Sequence, residues 1–107
     1  RTYAAMVSKL DQSVGRVIEA LQKKQMLENT IILFMSDNGA PSTDNAMPSI
    51  RIFPNWGSNF PFKGAKETLW EGGVRSPTIL WSSYFQSTPR VSTQLLHISD
   101  WLPTLYT

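Results

Sequence analysis

The sequence predicts an α/β fold built around a mostly parallel sheet. Apolar side chains recur at three- and four-residue steps from Met6 to Leu21, which predicts an amphipathic helix over residues 2–25. The apolar run that follows is rich in β-branched residues, lacks polar alternation and is too short for a stable helix. It therefore predicts a strand over residues 30–36 that is buried on both faces, and strands of this kind belong to parallel sheets.

Two further elements are predicted nearer the end of the chain. The stretch Pro-Thr-Ile-Leu-Trp at residues 77–81 is interpreted as a second short strand. Ser99 and Asp100 are interpreted as the cap of a final helix, so Asp100 is assigned to capping rather than to metal binding. His97 is the single histidine, and we expect it to be packed or hydrogen-bonded rather than catalytic.

Asp37 and Asn38 are the candidate metal ligands. They lie in Ser-Asp-Asn-Gly at residues 36–39, directly after the first strand, where ligands of open α/β sheets bind. A carboxylate beside an amide carbonyl offers the oxygen ligands that calcium or magnesium prefers. The alternative is a simple turn, because Asn and Asp tolerate left-handed backbone and Gly favours it.

A long segment at residues 40–62 separates this motif from the next. It carries four of the seven prolines of the chain, so a continuous regular element is not expected. Loops longer than about 12–15 residues are usually functional or disordered. Its aromatic side chains are interpreted either as lining a substrate cleft or as covering another part of the protein: Phe53, Trp56, Phe60 and Phe62.

Composition excludes several classes of protein. The chain has 41% hydrophobic and 17% charged residues, which is typical of a globular domain. A net charge of +2 with scattered basic residues does not indicate nucleic-acid binding. No apolar stretch approaches the ~20 residues of a membrane span. The chain has no cysteine, which excludes disulfides and thiolate metal sites within it.

Three ordered motifs give the chain a family resemblance. Ser-Asp-Asn-Gly at 36–39, Lys-Glu-Thr-Leu-Trp-Glu-Gly-Gly-Val-Arg at 66–75 and His-Ile-Ser-Asp-Trp-Leu-Pro-Thr-Leu at 97–105 resemble the C-terminal part of a sulfatase catalytic domain. The likeness is closest to the arylsulfatase B group. It covers nearly the whole chain, since residues 3–21 resemble the helix that precedes the metal-binding strand in that family.

The resemblance implies a fold and a set of roles. The fold would be the doubly wound, mostly parallel α/β sheet of the alkaline-phosphatase-like superfamily, with residues 1–107 as a fragment of the catalytic domain. Asp37 and Asn38 match the pair that supplies two ligands of the active-site calcium ion. Lys66 matches the lysine that contacts the substrate sulfate, with Lys63 as the alternative.

The resemblance also implies that only half of a site is present. The family nucleophile is a formylglycine made from the cysteine of Cys-x-Pro-x-Arg, and this chain has no cysteine. Ser-Thr-Pro-Arg at residues 87–90 lacks one residue of that spacing and is interpreted as a loop. We therefore expect the nucleophile-bearing part to lie elsewhere in the parent protein, and we expect the isolated chain to fold poorly and to be inactive.

For the full-length protein, the resemblance implies an arylsulfatase-type hydrolase that acts on aryl sulfates or sulfated carbohydrates. It also implies a lysosomal or secreted location. Two alternatives remain open from the sequence. One is a non-catalytic relative that binds calcium or sulfated glycans. The other is a phosphodiesterase or phosphonate hydrolase of the same superfamily, with a threonine or serine nucleophile.

Overall fold

The computed structural model describes residues 1–41, 57–86 and 89–106. The first helix, α1, spans Thr2–Lys23 and is followed by a 3₁₀ turn at Leu27–Asn29. Strand β1 spans Ile31–Met35, the one-turn helix α2 spans Glu71–Val74, and strand β2 spans Thr78–Ser82. A second 3₁₀ turn at Ile98–Asp100 leads into helix α3 at Trp101–Tyr106.

Helix α1 confirms the element predicted from the apolar period. It ends at Lys23, and Gln25 takes a positive φ of 54° that turns the chain away from the helix axis. The apolar stripe of this helix remains largely open to solvent, with Met6 66% exposed. Helix α1 contacts the 3₁₀ turn that follows it, and its apolar face is not covered by the described parts of the strands.

The two strands form an antiparallel pair, whereas the sequence predicts a mostly parallel sheet. Leu33 lies opposite Leu80, and Met35 lies opposite Thr78. A parallel pair requires a crossover that carries the chain to the other end of the sheet. Here the described parts of the connection stay near the carboxyl end of β1, where the Ser36 N–H donates to the Pro77 carbonyl at 3.2 Å. The chain therefore enters β2 from that same end.

The prediction that β1 is buried on both faces is wrong for this structure. Ile31 and Phe34 of β1 are exposed, and Ile79 on the partner strand is 64% exposed. The physical reason is that β1 pairs with one neighbouring strand in the described part of the chain, and helix α1 does not pack over it.

The final helix is capped as a local network of three residues. The His97 N–H donates to the Asp100 carboxylate at 2.8 Å, and the Ser99 N–H donates to His97 Nδ1 at 3.3 Å. The prediction that Asp100 is structural is thus confirmed. The capping residue is His97 rather than Ser99, because the imidazole nitrogen here accepts the bond that a serine oxygen usually accepts.

Burial is concentrated where the loop after β1 meets the segment around α2, rather than between the helices and the sheet. Ala65 is 1% exposed and Ser82 is 5% exposed, and three glycines are also buried: Gly39, Gly72 and Gly73. The three glycines belong to the two motif segments that the sequence singles out, and Ala65 directly precedes the second of them.

Candidate functional site

The loop after β1 presents two oxygen-bearing side chains. This Asp-Asn loop, residues 36–40, is tightened by the Ser36 hydroxyl, which donates to the Asn38 carbonyl at 2.7 Å. Asp37 Oδ1 accepts the Asn38 N–H at 3.0 Å, and the Asn38 amide nitrogen donates to the Gly39 carbonyl at 3.1 Å. Asp37 Oδ2 and the Asn38 amide oxygen accept neither of these hydrogen bonds, so both can bind a ligand.

The Asp-Asn loop lies against a second segment that carries the candidate sulfate-binding lysine. This lysine segment, residues 63–74, includes α2. The Gly39 N–H donates to the Gly73 carbonyl at 2.9 Å, and the Lys66 N–H donates to the Ala40 carbonyl at 3.1 Å. The two motifs predicted to share a site are thus joined directly through their main chains.

Glycine is required where these segments cross. A Cβ on Gly39 would lie 2.7 Å from the carbonyl carbon of Gly72 and 3.1 Å from the Cα of Gly73. A Cβ on Gly72 would lie 2.8 Å from the Lys63 carbonyl oxygen. The atoms in the way are main-chain atoms, which cannot rotate aside. Glycine at positions 39 and 72 therefore permits the close approach of the two segments.

Asn59 ties the two segments together and was not predicted as a site residue. Its amide oxygen accepts the Ala40 N–H at 2.8 Å, while its amide nitrogen donates to the carbonyls of Ala40 at 2.8 Å and Gly64 at 3.1 Å. Asn59 is half-buried. Its partners are main-chain atoms, two of them on a residue 19 positions away, so no residue pattern in the sequence could have identified it.

The two candidate lysines have different surroundings. The Lys63 ammonium lies 3.8 Å above the centroid of the Trp70 ring, in a cation–π contact. Lys66 is half-buried, and its ammonium makes no ion pair or ring contact within the described residues. Of the two candidates, Lys63 thus has an aromatic partner, and the choice between them as the sulfate contact stays a prediction.

A second cation–π contact involves Phe62, the residue before Lys63 in the sequence. The Arg75 guanidinium is 4.5 Å from the centroid of the Phe62 ring, and its Nη1 pairs with Glu71 Oε2 at 2.6 Å. Both side chains of this ion pair are exposed, so it contributes little to stability. Of the aromatic residues expected to line a cleft, Phe60 and Phe62 are exposed, while Phe53 and Trp56 lie outside the described residues.

The donor atoms of the Asp-Asn loop are oxygens, which are the ligands that a hard cation prefers. Two side chains are too few to hold such a cation alone. Calcium takes six to eight oxygen ligands, and a carboxylate with an amide oxygen supplies a fraction of that set. Within residues 1–41, 57–86 and 89–106, no three His, Cys, Asp or Glu side chains group as a metal cluster. His97 and Asp100 are engaged in the helix cap.

Other features of the described chain point to no second site. An open groove on α1 is lined by long exposed side chains around Gly15, including Lys9, Arg16 and Glu19. It lies on a different element from the two motif loops. None of the described helices combines the length and apolar character needed to cross a bilayer.

Comparison with known proteins gives a consistent result. The sulfatase family profile matches residues 1–107. Arylsulfatase J of Mus musculus is 39% identical over 105 residues, which cover 98% of this chain and 16% of that protein. N-acetylgalactosamine-6-sulfatase of Canis lupus familiaris is 40% identical over 103 residues, covering 95% of this chain and 18% of that protein.

The same similarity extends to other species. The Homo sapiens N-acetylgalactosamine-6-sulfatase is 36% identical over 102 residues. The chain spans 16% to 18% of the length of these relatives. No solved structure matches it.

Proposed function

Because the chain belongs to the sulfatase family, we propose that the protein containing it hydrolyses sulfate esters and that residues 1–107 form part of its catalytic domain. The family implies an alkaline-phosphatase-like α/β fold. In our proposal, β1 and β2 are two strands of a larger doubly wound, mostly parallel sheet, and helices on both sides of that sheet would cover their exposed faces.

One observation supports this assignment best. The Asp-Asn loop and the lysine segment, which are separated by more than twenty residues of sequence, are bonded to each other through Gly39–Gly73 and Ala40–Lys66. An oxygen-donor pair and a cation are thus carried on adjoining loops at the carboxyl end of β1. This arrangement suits the binding of a divalent cation and an oxyanion side by side.

The proposed roles follow from the chemistry of the groups. Asp37 and Asn38 would hold calcium through Asp37 Oδ2 and the Asn38 amide oxygen, with further ligands from other parts of the protein. When bound, the ion would stabilise negative charge on the sulfuryl oxygens. The hydrogen bonds within the Asp-Asn loop orient both side chains before the ion arrives.

Lys66 would contact the sulfate group directly. Its main-chain N–H is fixed to Ala40 and the residue is half-buried, so the side chain is anchored beside the Asp-Asn loop, where a positive charge would stabilise a sulfate oxygen. Lys63 would instead support the segment through Trp70. The proposed nucleophile, a formylglycine, would come from outside these 107 residues, because the chain has no cysteine.

We further propose aryl sulfates or sulfated carbohydrates as substrates and a lysosomal or secreted location. The substrate proposal is supported by the names of the relatives, which include an arylsulfatase and a sulfatase of an amino sugar. The location and the identity of the metal ion rest on the family resemblance alone.

The test is steady-state hydrolysis of a chromogenic aryl sulfate by the full-length protein and two matched variants. Lys66→Ala should lower kcat/KM about 10²- to 10³-fold, as expected when one charge-stabilising group is lost. Lys63→Ala is the control, and we expect it to lower kcat/KM less than ~10-fold because its ammonium packs on a ring.

The other outcomes identify the alternatives. A larger loss for Lys63→Ala than for Lys66→Ala would exchange the two roles. A wild-type protein that binds calcium and hydrolyses no sulfate ester would be a non-catalytic relative. Hydrolysis of phosphodiesters or phosphonates in place of sulfate esters would assign the protein to the sister branch of the superfamily.

A further inference from the structure

We propose that Asn59 is a positioning residue that fixes the lysine segment against the Asp-Asn loop. This inference rests on the proposed function, since it names the residue that sets the spacing between the metal-binding pair and Lys66. The side chain of Asn59 bonds the residue that follows Asp37-Asn38-Gly39 and the residue two positions before Lys66.

The three hydrogen bonds use both ends of the carboxamide. Ala40 offers its N–H and its carbonyl on the same side, and the Asn59 amide pairs with both at 2.8 Å, as a neighbouring strand would. The second amide hydrogen reaches the Gly64 carbonyl at 3.1 Å. The Ala40 carbonyl also accepts the Lys66 N–H, so Asn59 and Lys66 converge on one oxygen.

The chemistry of these partners requires an asparagine. An aspartate has no donor at neutral pH, and its charge would face the carbonyls of Ala40 and Gly64. A glutamine would place the amide one methylene too far from its partners. Alanine would leave a half-buried N–H and two carbonyls without this partner. None of these changes touches Asp37, Asn38 or Lys66.

A positioning role makes a specific prediction about coupling. Once the lysine segment has moved, Lys66 no longer contacts the sulfate properly, so removing its ammonium costs little more. We expect Asn59→Ala to lower kcat/KM ~10- to 100-fold, since a displacement of about 1 Å can cost that much. The Asn59→Ala/Lys66→Ala double variant should then lie within ~3-fold of Lys66→Ala alone.

A purely structural role predicts a different result. If Asn59→Ala only reduced the amount of folded enzyme, the two losses would multiply. Asn29→Ala is the matched control, because Asn29 bonds the Tyr84 hydroxyl at 2.9 Å away from the site. We expect its effect on kcat/KM to be under ~3-fold and to combine with Lys66→Ala multiplicatively.

The experiment is this double-mutant cycle on the full-length protein, measured both as kcat/KM and as the Kd of inorganic sulfate by calorimetry. Asn59→Asp serves as a second, isosteric variant and should show the same non-additivity. The inference would be overturned if the fold-losses of the two single variants multiply in the double variant, both in kcat/KM and in the sulfate Kd. Failure of both Asn59 variants to fold would also overturn it.

The two readouts separate this inference from the proposed function. If the wild type hydrolyses no sulfate ester but binds sulfate through Lys66, the proposed function fails. The double-mutant cycle measured on the Kd of sulfate then still decides the role of Asn59. If the wild type neither hydrolyses nor binds sulfate, both proposals are overturned.

Discussion

Substituting Gly39 with alanine tests whether the two motif loops depend on main-chain contact. The added Cβ would lie 2.7 Å from the Gly72 carbonyl carbon. Ordinary contacts between carbon atoms begin near 3.5 Å, and the Gly72 carbonyl oxygen lies nearer to the added Cβ than its carbon does, so the loops must separate by more than roughly 0.8 Å. The hydrogen bond between the Gly39 N–H and the Gly73 carbonyl, now 2.9 Å long, would be stretched beyond useful range.

The expected cost has two parts. Overpacking against main-chain atoms costs about 1–3 kcal/mol. Loss of the Gly39–Gly73 hydrogen bond adds about 0.5–1.5 kcal/mol. The free energy of unfolding should therefore fall by roughly 1.5–4.5 kcal/mol. Because Lys66 moves with its segment, kcat/KM for an aryl sulfate should also fall, by up to ~100-fold.

Gly15→Ala is the matched control for this experiment. A Cβ on Gly15 meets nothing within 4 Å, and Gly15 lies in the middle of α1. Alanine there should stabilise the protein by about 0.5–1 kcal/mol and leave kcat/KM unchanged. Urea denaturation and steady-state kinetics of the full-length variants provide the comparison. Equal stability and equal activity for the two variants would refute the reasoning.

Two further predictions concern the metal and the isolated chain. Asp37→Asn should weaken calcium binding by at least about tenfold in calorimetry with CaCl₂, since it removes the only charge in the donor pair. Asp11→Asn, on exposed α1, is the control and should leave the calcium affinity unchanged. Equal calcium affinities for the two variants would exclude Asp37 as a ligand. The isolated 107-residue chain should melt without a sharp transition and bind a hydrophobic dye, because Ala65 is the one hydrophobic side chain among its described residues that is buried. A cooperative two-state melt would contradict this expectation.

Local patterns in the sequence identified the elements well. The apolar period of α1 and the β-branched runs of both strands are properties of neighbouring residues, and the observed bounds fall close to the predicted ones. The helix cap was also predictable, because Asp100 acts on a residue three positions away. The choice of His97 as the capping residue was not, since a histidine nitrogen seldom takes that role.

Long-range contacts account for what the sequence did not predict. The strand direction depends on how the connection folds back at the carboxyl end of β1, and hence on contacts between residues far apart in the chain. The match to the family motif favours Lys66 over Lys63, and the contact of the Lys63 ammonium with the Trp70 ring could not be read from the sequence. Asn59 resembles any loop asparagine until its partner on Ala40, 19 residues earlier, is known.

The Asn59–Ala40 bonds have a consequence for how this part of the protein can vary. They close the connecting segment at its base, so the chain enters and leaves it at a fixed separation. Because these bonds set the separation of residues 40 and 59, we expect a change in the length of the segment between them to leave Asp37 and Lys66 in place relative to each other. Selection for a new substrate could act on that segment while the groups that bind the cation and the sulfate stay in place.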